Sequence, residues 1–147
     1  MNWLDLHGEP VRPEWVDYNG HMSEAYYVLV FGHATDALLD LVGLDAAYRD
    51  ANHRSLYTAE AHVRYLHEVK LGAALAIRTG VFAIDAKRVH FGHEMYVGGE
   101  AIATTELMGL HVDTAAGRTA PFDGNVRDRL AACTVDRPDW VGRSLGL

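Results

Sequence analysis

Ser23-Glu24-Ala25-Tyr26-Tyr27-Val28-Leu29-Val30-Phe31-Gly32-His33-Ala34-Thr35-Asp36-Ala37-Leu38-Leu39-Asp40-Leu41-Val42-Gly43 is the stretch that decides the architecture. Ser23 is a good N-cap, because its hydroxyl can accept a free amide of the first helical turn. Glu24 brings negative charge to the positive end of the dipole. Gly43 suits the left-handed residue that closes a helix. A helix over 24–42 would be about 28 Å long. Its polar residues His33, Asp36 and Asp40 form one narrow stripe, and nearly everything else is apolar, aromatic or small. A helix apolar around most of its circumference is a buried helix, so the rest of this short chain must wrap it.

The wrapping material follows in sequence. Ser55 to Val69 alternates, with Tyr57, Ala59, Ala61, Val63, Tyr65 and Val69 on one face and Thr58, Glu60, His62, Arg64 and Glu68 on the other. That is the period of a half-buried antiparallel strand. Lys70-Leu71-Gly72 reads as a turn, Ala73 to Ile84 as a second long strand, and Asp85-Ala86 as a short connection. Lys87 to Val97 and Ala101 to Asp113 are strands around a Gly98-Gly99 hairpin turn. Upstream, Glu9 to Val16 holds two prolines and reads as a short edge strand or extended lead-in. Asn125 to Ala132 suggests a short helix, and the tail from Thr134 shows no clear element. One α+β domain over residues 1–147 is expected, a hotdog arrangement in which a curved antiparallel sheet wraps one long central helix. A sandwich with the helix on one open face would ask for a more amphipathic helix.

Bulk properties narrow the function. At 147 residues, a chain buries roughly 70% of its unfolded surface, enough for a core. A net charge of −7 argues against a nucleic-acid partner, which needs a basic face. The single cysteine, Cys133, permits no intrachain disulfide and fits a reducing cytoplasm. It reads as a small buried hydrophobe rather than a nucleophile. The N-terminus has neither the basic nor the apolar region of a signal peptide, and His33, Asp36 and Asp40 interrupt the longest apolar run, so no membrane partner is expected. Nine histidines invite a metal reading. On a strand, however, His90 and His93 point to opposite faces, as do His62 and His67, so no metal site is expected.

The segment Trp15-Val16-Asp17-Tyr18-Asn19-Gly20-His21-Met22-Ser23-Glu24-Ala25-Tyr26-Tyr27 resembles the signature of 4-hydroxybenzoyl-CoA-type thioesterases: an aspartate, a short turn with glycine, then a helix opening with tyrosine. Val63-Arg64-Tyr65-Leu66-His67-Glu68-Val69-Lys70-Leu71-Gly72 looks like the family's second strand and turn. In order and spacing the resemblance runs from residue 11 to about 115. Ser23 stands where many members have Asn. Asp17 to His21, Ala34 to Leu38, Glu60-Ala61-His62, Tyr65 to Gly72 and Leu110-His111-Val112-Asp113 further resemble the betainyl-CoA thioesterases of bacterial carnitine breakdown. The resemblance implies a hotdog thioester hydrolase acting on a small acyl-CoA, betainyl-CoA first, in which coenzyme A is part of the substrate and no cofactor is needed. It also implies pairing into a homodimer or homotetramer with the active site at the subunit boundary. The alternatives are a thioesterase for another short-chain or aromatic acyl-CoA, a hotdog dehydratase, or a non-catalytic acyl-CoA-binding protein.

Thioester hydrolysis needs an attacking group, a stabiliser for the oxyanion and a pocket for the acyl group. Asp17 taken alone reads as an Asx-turn residue; the resemblance implies that it is the catalytic carboxylate, as nucleophile or as general base. Amides around His21, Met22, Ser23 and Glu24 at the helix start can face an oxyanion. Glu60, and beside it His62, can orient water, or can belong to a solvated face. Trp15, Tyr18, Tyr26, Tyr27 and Tyr65 form an aromatic set near the aspartate, suited to a trimethylammonium group through cation–π attraction. Lys87 and Arg88, with Arg78 and Lys70, are candidates for the coenzyme A phosphates, or strand-end charges that protect an edge.

Overall fold

The first strand, β1 (Leu4–Pro10), lies earlier than Glu9 to Val16. Pairing continues as far as Val11, and the chain then enters the 3-10 turn that opens at Pro13, Pro13–Trp15. The computed structural model describes residues 2–147. After that turn come α1 (Glu24–Val42), α2 (Ala46–Asn52), β2 (Arg54–Tyr65), β3 (Ala74–Ile84), β4 (Arg88–Val97), β5 (Glu100–Asp113), β6 (Arg118–Thr119) and α3 (Gly124–Ala132). The strands form one sheet in the order β1-β3-β4-β5-β2, with β6 added to β5, and every pairing is antiparallel. The sheet curls about α1 in the hotdog manner.

α1 has the predicted bounds, and Gly43 closes it with φ 91°. The short helix α2 carries no apolar period and was not legible. Its start is set by Asp45, whose carboxylate accepts the Tyr48 amide at 2.9 Å. β2 stops at Tyr65 rather than Val69, because the amides of Leu66 and His67 both turn to the Ile102 carbonyl, at 2.9 and 3.2 Å. The alternation within β2 also differs from the pattern. A register shift between Thr58 and Glu60 against β5 inserts a bulge at Ala59. Leu56 and Thr58 therefore share the α1-facing side with Ala61 and Val63, while Glu60 and His62 face away.

The core divides along α1. Tyr27, Val30, Phe31 and Ala34 pack with Leu75, Ile77 and Met95, and Leu38, Leu39 and Val42 pack with Val81, Phe91 and Leu130. All-round burial of α1 does not hold within one chain: Val28, Leu29 and Leu41 are 50%, 42% and 48% exposed. A curled sheet covers one side of a helix and leaves the other for something else. On the far side of the sheet the tail beyond α3 packs down, though it forms no element. Val135 donates to the Val81 carbonyl at 2.8 Å, and Trp140 and Val135 bury against Phe82. Gly80 and Gly92 admit this layer: a Cβ at Gly92 would stand 2.9 Å from the Trp140 ring and 2.7 Å from the Thr105 carbonyl.

A fully buried polar link joins the helix to the sheet. His93 is fully buried between Thr35 on α1 and Thr79 on β3, with hydroxyl-to-nitrogen distances of 2.8 Å to both ring nitrogens. Its ring stacks on Phe31 at 5.9 Å. Burial lowers its pKa to about 3, so the ring stays neutral in the fold. The unfolded chain takes up this proton near pH 6.5 and the folded chain does not until about pH 3. Stability should therefore be complete above pH 6.5 and fall as the pH drops towards 3, by about 1.4 kcal/mol per unit for one proton. Urea unfolding across that window measures it, and His93→Gln should flatten the slope.

Candidate active site

The turn before α1 is built by backbone bonds. Asp17 N–H donates to the His21 carbonyl at 2.9 Å, and Gly20 N–H to the Asp17 carbonyl at 3.0 Å, with Gly20 at φ 79°. The Asp17 side chain closes the same turn: its Oδ1 accepts the Asn19 amide at 2.9 Å and the His21 amide at 3.3 Å. Asp17 is thus both a turn-former and an exposed carboxylate whose Oδ2 has no partner among the described residues. It stands at the surface beside the helix start.

The donors at that start differ from expectation. The amides of His21, Met22 and Ser23 are already engaged: His21 with Asp17, Met22 with the Val69 carbonyl at 2.8 Å, and Ser23 with the Trp15 carbonyl at 2.9 Å. The chain runs antiparallel to its neighbours here (Val16 with Met22, His21 with Lys70), which consumes those groups. The amides of Glu24 and Ala25 have no partner among the described residues, and they occupy the positive end of the helix. Ser23 is the N-cap by backbone angle, but its hydroxyl makes no capping bond.

Beside Glu24 opens a cleft of about 550 Å³ lined by Met22, Glu24, Tyr27, Tyr65, His67 and Glu68, with Leu66 at its edge. The Tyr27 and Tyr65 rings meet edge to face at 5.1 Å. Tyr27 Oη donates to the His67 carbonyl at 3.2 Å and Tyr65 Oη to the Glu24 carbonyl at 3.3 Å. Burial pushes both phenols above their ordinary range, so they remain neutral. His21 Nε2 lies 3.3 Å from Glu68 Oε2, linking the aspartate turn to the cleft wall. Two carboxylates face this opening and no lysine or arginine lines it.

Of the expected set, Met22, Tyr27 and Tyr65 line the cleft. Asp17, His21 and Ser23 stand beside it, in the turn and at the helix cap, joined to its wall through His21 and Glu68. The others lie elsewhere. Trp15 is buried and stacks on Tyr26 at 5.7 Å, a base beneath the turn rather than a wall of the cleft. Tyr18 is 97% exposed. Glu60 and His62 keep the polar face that the alternation gave them, away from α1, and open into a recess of about 280 Å³ with His90, Glu106 and Arg143. There Glu106 holds His90 at 2.8 Å and the Gly142 amide at 2.7 Å. Within one chain these residues do not reach Asp17. Lys87 and Arg88 sit at the β3–β4 turn, the opposite end of β3 from the Ala74 end that adjoins the cleft loop. Asp85 holds Arg88 at 2.8 Å, and the Lys87 amide and Arg88 side chain lower its carboxyl to about 2. The Arg78 side chain is engaged by Glu94 at 2.7 Å, whereas the backbone of Lys70 bridges to that of His21 near the site. Glu24, His67 and Glu68 were the missed wall. Read as strand, Glu68 pointed outward; the early end of β2 turns it into the opening.

Comparison with known proteins gives the family and the fold. Residues 11–130 match the model of the thioesterase-like superfamily. The chain is 46% identical to the betainyl-CoA thioesterase of Pseudomonas aeruginosa, over 98% of this chain and 95% of that protein. It is 43% identical to the L-carnitine dehydrogenase/betainyl-CoA thioesterase of Rhizobium meliloti, over 97% of this chain and 30% of that longer protein. A solved protein from Pseudomonas putida KT2440 superposes with TM-score 0.87 at 40% identity, covering 100% of this chain and 98% of that one. The fold of a Staphylococcus aureus protein solved in complex with CoA superposes with TM-score 0.91 at 24% identity, with the same coverage. As the Ser23 hydroxyl caps nothing, Ser23→Ala should change stability by less than about 0.5 kcal/mol, against about 1 for a working cap. Thermal unfolding measures it.

Proposed function

Since this chain belongs to the thioesterase-like superfamily and is a thioester hydrolase, we propose that its substrate is betainyl-CoA, released as glycine betaine and free coenzyme A. The observation that carries this reading is the cleft beside Glu24: two carboxylates, two neutral tyrosine rings and no lysine or arginine. A trimethylammonium group finds there both ring faces and negative charge. The relatives named for betainyl-CoA support it, and the fused L-carnitine dehydrogenase of one of them links the activity to carnitine degradation.

Chemically, Asp17 serves as general base. Its Oδ1 is held by two amides, which fixes the carboxylate and leaves Oδ2 open to water. Water adds to the thioester carbonyl, its proton passes to Asp17, and the oxyanion is met by the Glu24 and Ala25 amides. Collapse breaks the C–S bond, and the proton on Asp17 goes to the departing thiolate. A thiolate leaves readily, so no separate strong acid is required.

A homodimer completes the site. β2 is an outer strand of the sheet, paired on one side only, to β5, and the exposed Val28 of α1 lines a groove of about 360 Å³ with Leu56 and Ala61. Antiparallel pairing of two β2 edges covers this apolar side. It also sets the Arg54 end of one copy beside the Tyr65 end of the other. Arg88 pairs with Leu110 near the first of those ends, so Lys87 and Arg88 of a second copy approach the cleft with charge suited to coenzyme A phosphates. The single buried Cys133 accords with a cytoplasmic setting.

Thiol release from betainyl-CoA tests the assignment. Asp17→Asn should lower kcat by roughly 10²–10⁴-fold with an unchanged circular dichroism spectrum, and retained turnover would refute its role. Glu68→Gln should raise KM for betainyl-CoA while sparing 3,3-dimethylbutyryl-CoA, the uncharged isostere. Equal handling of both substrates by the unmodified enzyme would overturn the cationic specificity.

A further inference from the structure

Strand β1 and helix α1 meet through three side chains that thioester chemistry does not use. His7 and Glu9 are two apart on β1 and share a face, and His33 comes to them from the middle of α1. His7 Nε2 and His33 Nδ1 both point at one oxygen, Glu9 Oε2, at 2.5 and 2.6 Å. The three donor atoms lie within 4.8 Å of one another. The Glu9 side chain is 7% exposed, His7 24% and His33 37%, so the group is sunk at the carboxylate and opens to solvent past His33. The imidazoles stand edge to face at 5.7 Å. Arg12 Nη2 lies 3.8 Å from the other carboxylate oxygen, Oε1.

We propose that His7, Glu9 and His33 form a binding site for a first-row divalent transition metal, with zinc the representative ion, which staples the outer strand β1 to the central helix. Two imidazole nitrogens and one carboxylate oxygen are a donor set that zinc takes in tetrahedral geometry, with metal–ligand distances of about 2.0–2.2 Å. At those distances the donors stand roughly 3.3 Å apart. The pairs at 2.5 and 2.6 Å need to open by less than one ångström, which side-chain rotation supplies without moving the strand. Arg12 occupies Oε1 and leaves Oε2 as the single oxygen donor, an outer contact of the kind that orients ligating carboxylates. Its charge also weakens cation binding, so the ion is exchangeable rather than permanently held. The fourth position faces solvent beside His33.

The site was hidden in the sequence because His33 is 24 residues beyond Glu9; the histidine pairs that suggested a metal lie elsewhere. It is separate from the cleft. Arg12 lies over the Trp15 ring at 5.5 Å and Trp15 sits beneath the aspartate turn, so the metal serves the frame and does not meet the thioester.

Metal-stripped full-length protein titrated with ZnCl₂ in a calorimeter tests the proposal, alongside thermal unfolding with and without the ion. One ion per chain and a melting temperature that rises with zinc concentration are expected, as for any ligand of the folded state alone. His33→Ala and Glu9→Gln should each weaken binding more than about 100-fold, beyond the loss seen for outer contacts, and remove the thermal shift. His67→Ala, on an exposed histidine outside the group, should change neither. If His33→Ala fails to fold, His7→Ala takes its place. Absence of binding, or binding that survives loss of a ligand and so reports scattered surface histidines, overturns the proposal and leaves a carboxylate shared by two imidazole donors.

Discussion

The start of α1 is spliced into the sheet by main-chain bonds, and the rest of the site inherits its geometry from that splice. Met22 donates to Val69, Ser23 to Trp15 and Asp17 to His21. These contacts cross three separate stretches of chain, so no side-chain rotation can move the helix mouth relative to the aspartate turn. The same bonds select which amides stay unpaired among the described residues: those of Glu24 and Ala25 are left over because their predecessors are occupied. A carboxylate held by two amides and a pair of unspent donors are thereby fixed on one rigid frame, as preorganised electrostatic stabilisation requires.

Charge is distributed unevenly around this frame. The cleft is acidic and aromatic, whereas Lys87 and Arg88 lie at the far end of β3. The protein is acidic overall, at −7, so attraction for a polyanionic carrier must be local, while attraction for a cationic acyl group can be broad. The uncovered side of α1 has the same logic. A curled sheet of this size shields one side of a 19-residue helix, and the apolar remainder is surface that water does not favour.

Much of this was legible in the sequence. The bounds of α1 followed from Ser23, Gly43 and the apolar run between them, and the hairpin at Gly98-Gly99 followed from turn chemistry. What periodicity missed had physical causes. Pairing continues as far as Val11, and the 3-10 turn that opens at Pro13 ended the extended run before Val16. The bulge at Ala59 reversed the alternation within β2, and a pattern of period two carries no mark of an inserted residue. α2 depends on one aspartate cap and has no apolar stripe. In the candidate site, Asp17, Tyr27 and Tyr65 could be named from the sequence because they sit in or beside the resembling motif, and the two tyrosines line the cleft. Glu68 escaped because its role depends on where β2 stops, and that is decided by a carbonyl, Ile102, far away in sequence.

The irregularity at Ala59 falls at the midpoint of the 12-residue β2. It divides the outer edge into two short runs out of phase with each other. A stray extended peptide, being regular, can match only one run at a time, so the edge is a poor template for uncontrolled strand addition. The defect thus works as a guard that keeps passing polypeptides from extending the sheet at this edge.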